Sequence, residues 1–181
     1  MISIIKHLSL VYIPLLSIAS TGYSQDKRTE TEPSPPAIVY PRIAGYVGIV
    51  HPLASFDKDG THTNFGTSYT VGMPVGINLW KTGKVGFSFE VVPHIRAENG
   101  TSKMSNFLFH PGILFALGNG YTFAGRAAFE TSGRYGFTPV LNKVIKKNKH
   151  NNYFAALPLP VRFGNDRPSS FAVAFQFGIG F

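Results

Sequence analysis

The chain has no cysteine among its 181 residues. That excludes disulfides, thiolate metal sites, a cysteine nucleophile and a lipoprotein anchor. Charge is also scarce: charged residues make up 14% of the chain, against roughly 25% in ordinary soluble domains. Acidic residues are the scarcest, nine against seventeen Lys and Arg, for a formal net charge of +8. Mean hydropathy is only +0.06, and no long apolar run marks a membrane-spanning helix. The abundant residues are different ones. Gly 19, Phe 16 and Tyr 8 suit strands and tight turns, and a mild mean hydropathy is what alternating apolar and polar residues produce.

The N-terminus reads as an export signal. Lys6 precedes a short apolar stretch from Leu8 to Ile18, and Gly22 and Ser24 occupy the −3 and −1 positions of a cut before Gln25. The apolar stretch is too short for a comfortable membrane helix, so residues 1–24 read as a cleaved signal peptide. Residues 25–42 carry Asp26, Lys27, Arg28, Glu30 and Glu32 among four prolines. Such a segment is expected to be a flexible, Pro-rich periplasmic lead-in. An exported chain gives its basic balance no reason to meet nucleic acid.

From Ile43 onward a period of two recurs, the signature of strands with one apolar and one small or polar face. Val85, Phe87, Phe89, Val91, Pro93 and Ile95 share one face, while Gly86, Ser88, Glu90, Val92, His94 and Arg96 share the other. Residues 43–53, 68–80, 84–97, 105–117, 120–131, 152–163 and 170–181 give seven such segments. A bacterial barrel needs an even number, and 134–141 supplies the eighth, with Tyr135, Phe137 and Leu141 outward. Prolines 93, 111, 158 and 160 predict bulges, since proline cannot donate to a ladder. The expected fold is all-β: a transmembrane antiparallel up-and-down β-barrel of about eight strands over residues 43–181. Its lumen would be just wide enough for side chains to fill.

The last segment places Phe171, Val173, Phe175, Phe177, Ile179 and Phe181 on one face, with Ala, Gln or Gly between them. A strand whose greasy face meets lipid accounts for that pattern, because barrel closure leaves no edge. These six residues resemble the C-terminal assembly signal of Gram-negative outer-membrane barrels. From about Ile43 to Phe181 the chain resembles small barrels of the OmpA/OmpX-like kind. The leader ending Tyr23-Ser24-Gln25 is similar to those of Bacteroidota-type envelope proteins. The resemblance implies a cell-outer-membrane location, contact with membrane lipids and lipopolysaccharide, and insertion by the barrel-assembly machinery. It implies no single activity, because fold does not carry function.

The inward face is therefore the chemical question. Glu90, His94, Arg96, Glu98, His110, Arg126, Glu130, Arg162 and Gln176 are expected to form a polar lumen network. Charges inside a narrow barrel must pair to survive desolvation. A structural or surface-interaction barrel with a plugged lumen is the leading reading. A narrow pore or a transport barrel for small solutes or hydrophobic compounds comes second, and a lipid-modifying enzyme third. For the last, Ser88, His110 and Glu90 can be drawn as a triad, but no local motif supports it and no catalytic residue is assigned. His94 and His110 lack a third ligand at any recognisable spacing, so neither metal nor cofactor is expected. Asp57-Lys58-Asp59-Gly60 opens like a calcium loop without its closing Glu and reads as a loop tip. Lys143, Lys146, Lys147 and Lys149 form the main basic cluster. It could meet lipopolysaccharide phosphates if extracellular, but the strand count puts 142–151 at a periplasmic turn.

Overall fold

The computed structural model describes residues 38–181. The expected signal peptide and all but the end of the lead-in lie outside the described residues. The described chain forms β1 (Arg42–Asp57), β2 (Gly60–Thr63), β3 (Ser68–Gly72), β4 (Val75–Trp80), β5 (Val85–Glu98) and β6 (Thr101–Gly118). It continues with β7 (Tyr121–Glu130), β8 (Tyr135–Lys147), β9 (Asn152–Pro158), β10 (Val161–Phe163) and β11 (Ser170–Gly180). The segments β3 and β4 form one stave, interrupted at Met73-Pro74, because both pair with β1 and β5. Likewise β9 and β10, parted at Leu159-Pro160, both pair with β8 and β11. Short β2 folds back on the end of β1. Neighbouring staves are antiparallel, and β11 pairs with β1 as well as with β9, so the ladder returns on itself. The fold is an all-β, up-and-down antiparallel barrel of eight staves.

Chain chemistry sets where the staves bend. Proline has no N–H to give a ladder, and both interruptions contain one. The backbone still bridges each gap: the Met73 N–H donates to the Pro93 carbonyl at 3.0 Å, and the Leu159 N–H to the Pro139 carbonyl at 2.9 Å. A register shift falls at His94/Ile95, but the extra residue is Ser105 on β6, so the strand that holds Pro93 is not the bulged one. The bulge expected at Pro111 is absent, since Phe89 pairs with Pro111 in unbroken register; one missing donor costs a ladder bond without adding a residue. A shift at Pro52/Ala54 was not expected. Two tight turns use residues that tolerate positive φ. Asn99 and Gly100 (φ 51° and 75°) join β5 to β6, and Asn119 and Gly120 (φ 49° and 77°) join β6 to β7.

The stave expected at 134–141 runs further than expected. Because β8 extends to Lys147, Lys143, Lys146 and Lys147 belong to a strand, and the turn shrinks to residues 148–151. That turn lies at the barrel end that also holds Arg42, the 81–84 turn, Asn119 and Phe181. We call this the near end. The far end holds residues 58–67, 99–100, 131–134 and 164–169.

The staves are tilted. Ladder partners followed from Gly45 run through Ile77 and Phe89 to Pro111. Followed the other way, from Phe56, they run through Phe171, Val161 and Phe137 to Ala127. Pro111 and Ala127 face one another between the paired Phe109/Phe129 and Ile113/Gly125. One level round the ring thus begins and ends at opposite ends of β1, the stagger that barrel closure demands.

The side chains divide by parity. The outward rows carry exposed Ile77, Phe87, Phe109, Phe123, Phe137 and Phe175, among many others. The inward rows carry the buried residues: one apolar cluster of Tyr46, Leu114, Ala124, Val140, Phe154 and Ala156, and a second of Val92, Leu108 and Ala128. The barrel is greasy outside and mixed within, the reverse of a soluble fold.

At the β1/β11 seam, Phe56 stacks on Phe171 and His51 on Phe177 at ring-centroid distances of 6.1 Å and 6.0 Å. His51 faces outward, and its imidazole Nδ1 is hydrogen-bonded by the Tyr69 hydroxyl. Phe171, Phe175, Phe177, Ile179 and Phe181 are exposed and Val173 half-buried, all on the outer face. Phe181 lies one residue beyond β11, yet it exchanges two 2.9 Å backbone bonds with Gly45.

Candidate functional site

Polar side chains meet across the middle of the lumen in two linked groups. The first surrounds Glu90. The Tyr46 hydroxyl donates to its Oε2 at 2.7 Å, His110 Nδ1 lies 3.0 Å from Oε1, and an Arg126 terminal nitrogen lies 3.3 Å from Oε1. The other terminal nitrogen of Arg126 donates to the Tyr46 hydroxyl at 3.0 Å and to Ser88 Oγ at 3.3 Å. The second group surrounds Arg162. Its Nε donates to Glu130 Oε1 at 2.7 Å, and its terminal nitrogens reach Thr138 Oγ1 at 3.0 Å and His110 Nε2 at 3.2 Å. Asn106 and Ser132 hold the other oxygen of Glu130 at 2.7 Å and 2.9 Å. His110 joins the two groups.

Ladder register explains how long side chains from separate strands meet. Tyr46, Gly76 and Glu90 are successive ladder partners on β1, β4 and β5. A Cβ on Gly76 would collide with the Tyr46 ring, so glycine leaves the space through which Tyr46 reaches Glu90. Ser88, Gly112 and Arg126 repeat the arrangement on β5, β6 and β7, and a Cβ on Gly112 would come within 2.6 Å of Arg126 Cγ. Gly136 stands opposite Arg162, where a Cβ would meet the Val161–Arg162 backbone. Tyr46, Arg126 and Arg162 thus each have a glycine as a ladder partner.

Charge and donor chemistry balance. Glu90 and Glu130 face Arg126 and Arg162, so the four formal charges cancel. A carboxylate only accepts and a guanidinium only donates. His110 therefore gives its Nδ1 proton to Glu90 and accepts at Nε2, a neutral imidazole assigned by its partners. All these groups are buried or nearly so; Glu90 is 3% exposed and Arg126 7%. Paired and hydrogen-bonded charges tolerate such burial, and losing one partner is costly; Arg126 Nε is the one network nitrogen buried without a partner among the described residues.

Cavities lie on both sides of the network. A 590 Å³ vestibule opens at the near end, with Trp80, Asn142, Asn152 and Phe154 on its wall and Tyr46 and Arg126 at its floor. A smaller 140 Å³ cavity toward the far end is bounded by Val92, Leu108, Pro160, Ala174 and the polar groups Glu90, His94 and Arg162. Arg126, Val140 and Gln176 border both.

The sequence-predicted residues fall into three sets. Glu90, His110, Arg126, Glu130 and Arg162 are joined in the network. His94 and Gln176 line the smaller cavity. Arg96 and Glu98 stand apart: they pair with each other at 3.0 Å near the far end, each roughly half exposed. Their separation follows from register, which puts Arg96 and Glu98 at the end of β5 beyond the lumen's middle. Tyr46 and Thr138 were missed by sequence reasoning; their inward parity on β1 and β8 was the available signal.

The drawn triad does not form. Ser88 Oγ is held by Arg126, while His110 Nε2 faces Thr138 Oγ1 at 3.1 Å. Thr138 is 1% exposed, and the Arg162 donor already occupies the Nε2 lone pair that a general base would need. The arrangement acts as a strut between strands. Among the described residues no cluster of three His, Asp or Glu side chains could hold a metal ion. Asp57 instead closes the β1–β2 hairpin, its Oδ1 accepting from the Asp59 N–H at 2.9 Å.

No family model matches the chain, and no curated protein matches it. Among solved structures it is similar to a de novo designed protein, TMB2.3, determined by solution NMR. The TM-score is 0.43 at 10% identity, over 78% of this chain and 93% of that one. The architecture stands on the strand pairing itself.

Proposed function

We propose that this protein is an outer-membrane β-barrel of the small OmpA/OmpX-like type, exported through a cleaved signal peptide, with a structural or surface-interaction role. The observation that carries the reading is the contrast between faces. The outer wall is a belt of exposed Phe, Ile, Leu and Val, while paired charges fill the middle of the lumen. An apolar belt of this kind is stable in lipid and a liability in water. A neutral, hydrogen-bonded plug blocks ions without presenting unpaired charge. Membrane lipids, lipopolysaccharide and the barrel-assembly machinery are the partners that this placement entails. A Bacteroidota-type envelope origin rests on the leader sequence alone.

The test is conductance of the refolded protein in planar bilayers. Wild type should pass little current, and Arg126→Ala should open a leak. Steady wild-type current would overturn the plug. One observation favours a narrow pathway as the second reading: the vestibule and the smaller cavity share Arg126 and Gln176 as their only described polar boundary. Solute uptake into liposomes by wild-type protein would establish it.

A further inference from the structure

The two ends of the barrel differ in charge. Arg42, Lys81 and Lys84 stand on one side of the near end, and Lys143, Lys146 and Lys147 on the other. Among the described residues no Asp or Glu lies at this end; Asp57, Asp59, Glu98 and Asp166 all lie at the far end, beside cations. The near end is thus a collar of one sign.

Position relates that collar to the apolar belt. The outward row of β8 runs Phe137, Pro139, Leu141 and then changes to Lys143. Lys143 Nζ sits 3.9 Å from the centroid of the exposed Tyr121 ring and donates to the Asn119 carbonyl at 2.6 Å. Lys146 pairs in register with outward Tyr153, and Ile145 between the two lysines is 67% exposed. Tyrosine rings with lysine heads beside them, at the edge of an apolar belt, match the boundary between acyl chains and headgroups.

We propose that the outward-facing part of this collar, Lys143 and Lys146 beside Tyr121 and Tyr153, binds the phosphate groups of anionic phospholipids in the leaflet that meets the near end. The inference rests on the membrane reading above. Lysine ammonium groups engage phosphate as point charges, and among the described residues no Asp or Glu side chain at this end competes for them. Near an anionic surface each lysine favours contact about fivefold. Lipid contact through the collar would also set which way the barrel lies in the membrane.

Trp80, the chain's single tryptophan, sits at this end opposite Arg42 in the ladder and reports on it. The full chain, refolded into phosphatidylcholine vesicles, is given a trace of dye-labelled phosphatidylglycerol or of phosphatidylcholine bearing the same dye. Energy transfer from Trp80 should favour the labelled phosphatidylglycerol about fivefold at low salt. The preference should fall toward parity in 1 M NaCl, where the screening length is about 3 Å. K143Q/K146Q, on the outer face, should remove most of it; R42Q/K147Q, at the vestibule mouth, should leave most of it. Equal transfer to both lipids from an inserted barrel would overturn the collar and leave the membrane reading standing. Loss of the preference in R42Q/K147Q alone would also overturn it, moving the anion site into the vestibule. Failure to insert into either vesicle would overturn both readings together.

Discussion

The two halves of the lumen have the same wall and opposite contents. On the far side of Arg126 the inward rows carry Glu90, His110, Thr138, Glu130 and Arg162, whose charge-assisted bonds narrow the space to a 140 Å³ cavity. On the near side they carry Ala116, Thr122, Asn142, Asn152 and Gly180, which leave a 590 Å³ vestibule. The ladders are continuous through both halves, so side-chain length decides which part of a barrel this size is closed. Long polar groups that meet across the middle make a plug, and shorter groups such as Ala116, Thr122 and Gly180 toward the near end leave a vestibule. A difference of that kind assigns stability to the plugged half and accessibility to the open one.

The largest effect should come from removing the seam that both halves share. Deleting Phe171–Phe181 takes away the partner of both β1 and β9. Barrel formation should be lost, seen as disappearance of the heat-modifiable gel band and as digestion by protease. A folded band from the deletion would break the account of closure. Phe181→Ala, by contrast, should slow assembly more than it lowers final stability.

Within the closed barrel, Glu90→Ala should be the costliest single change. It leaves Arg126, His110 and the Tyr46 hydroxyl without their shared acceptor, at a cost of about 3–5 kcal/mol. Denaturant unfolding in lipid vesicles measures it. Gly76→Leu should cost about 1–3 kcal/mol by overpacking, because its side chain must displace the Tyr46 ring. The smallest effects belong to the vestibule. Asn142→Ala should change stability by no more than about 0.5 kcal/mol, the range for positions outside buried networks. If Asn142→Ala destabilised as much as Glu90→Ala, the contrast between the halves would not hold.

Much of the wall was legible in the sequence. Alternation is a local property of residues i and i+2, so Val85–Ile95 announced its two faces without knowledge of any neighbour. Turn chemistry is local as well. Gly118-Asn119-Gly120 is a legible hairpin turn, and Asn99-Gly100 carries the same signal, so β6 begins at Thr101 rather than at residue 105. The extent of β8 was hidden for another reason. Lys143, Lys146 and Lys147 interrupt its apolar row, yet their backbones still pair with Ala155, Tyr153 and Asn152.

The network shows where local reading ends. Sequence alone determined that Glu90, His110, Arg126, Glu130 and Arg162 face inward, because parity along one strand requires no partner. It did not determine that Glu90 would join Arg126 and Tyr46, that His110 would turn its Nε2 to Thr138 rather than to Ser88, or that Arg96 and Glu98 would pair apart. Those outcomes depend on the stagger of eight staves, on shifts such as Pro52/Ala54 and His94/Ile95, and on glycines lying opposite long side chains in neighbouring strands. Register is a relation between distant segments, and a one-residue slip turns every side chain to the other face. Only the assembled barrel decides it.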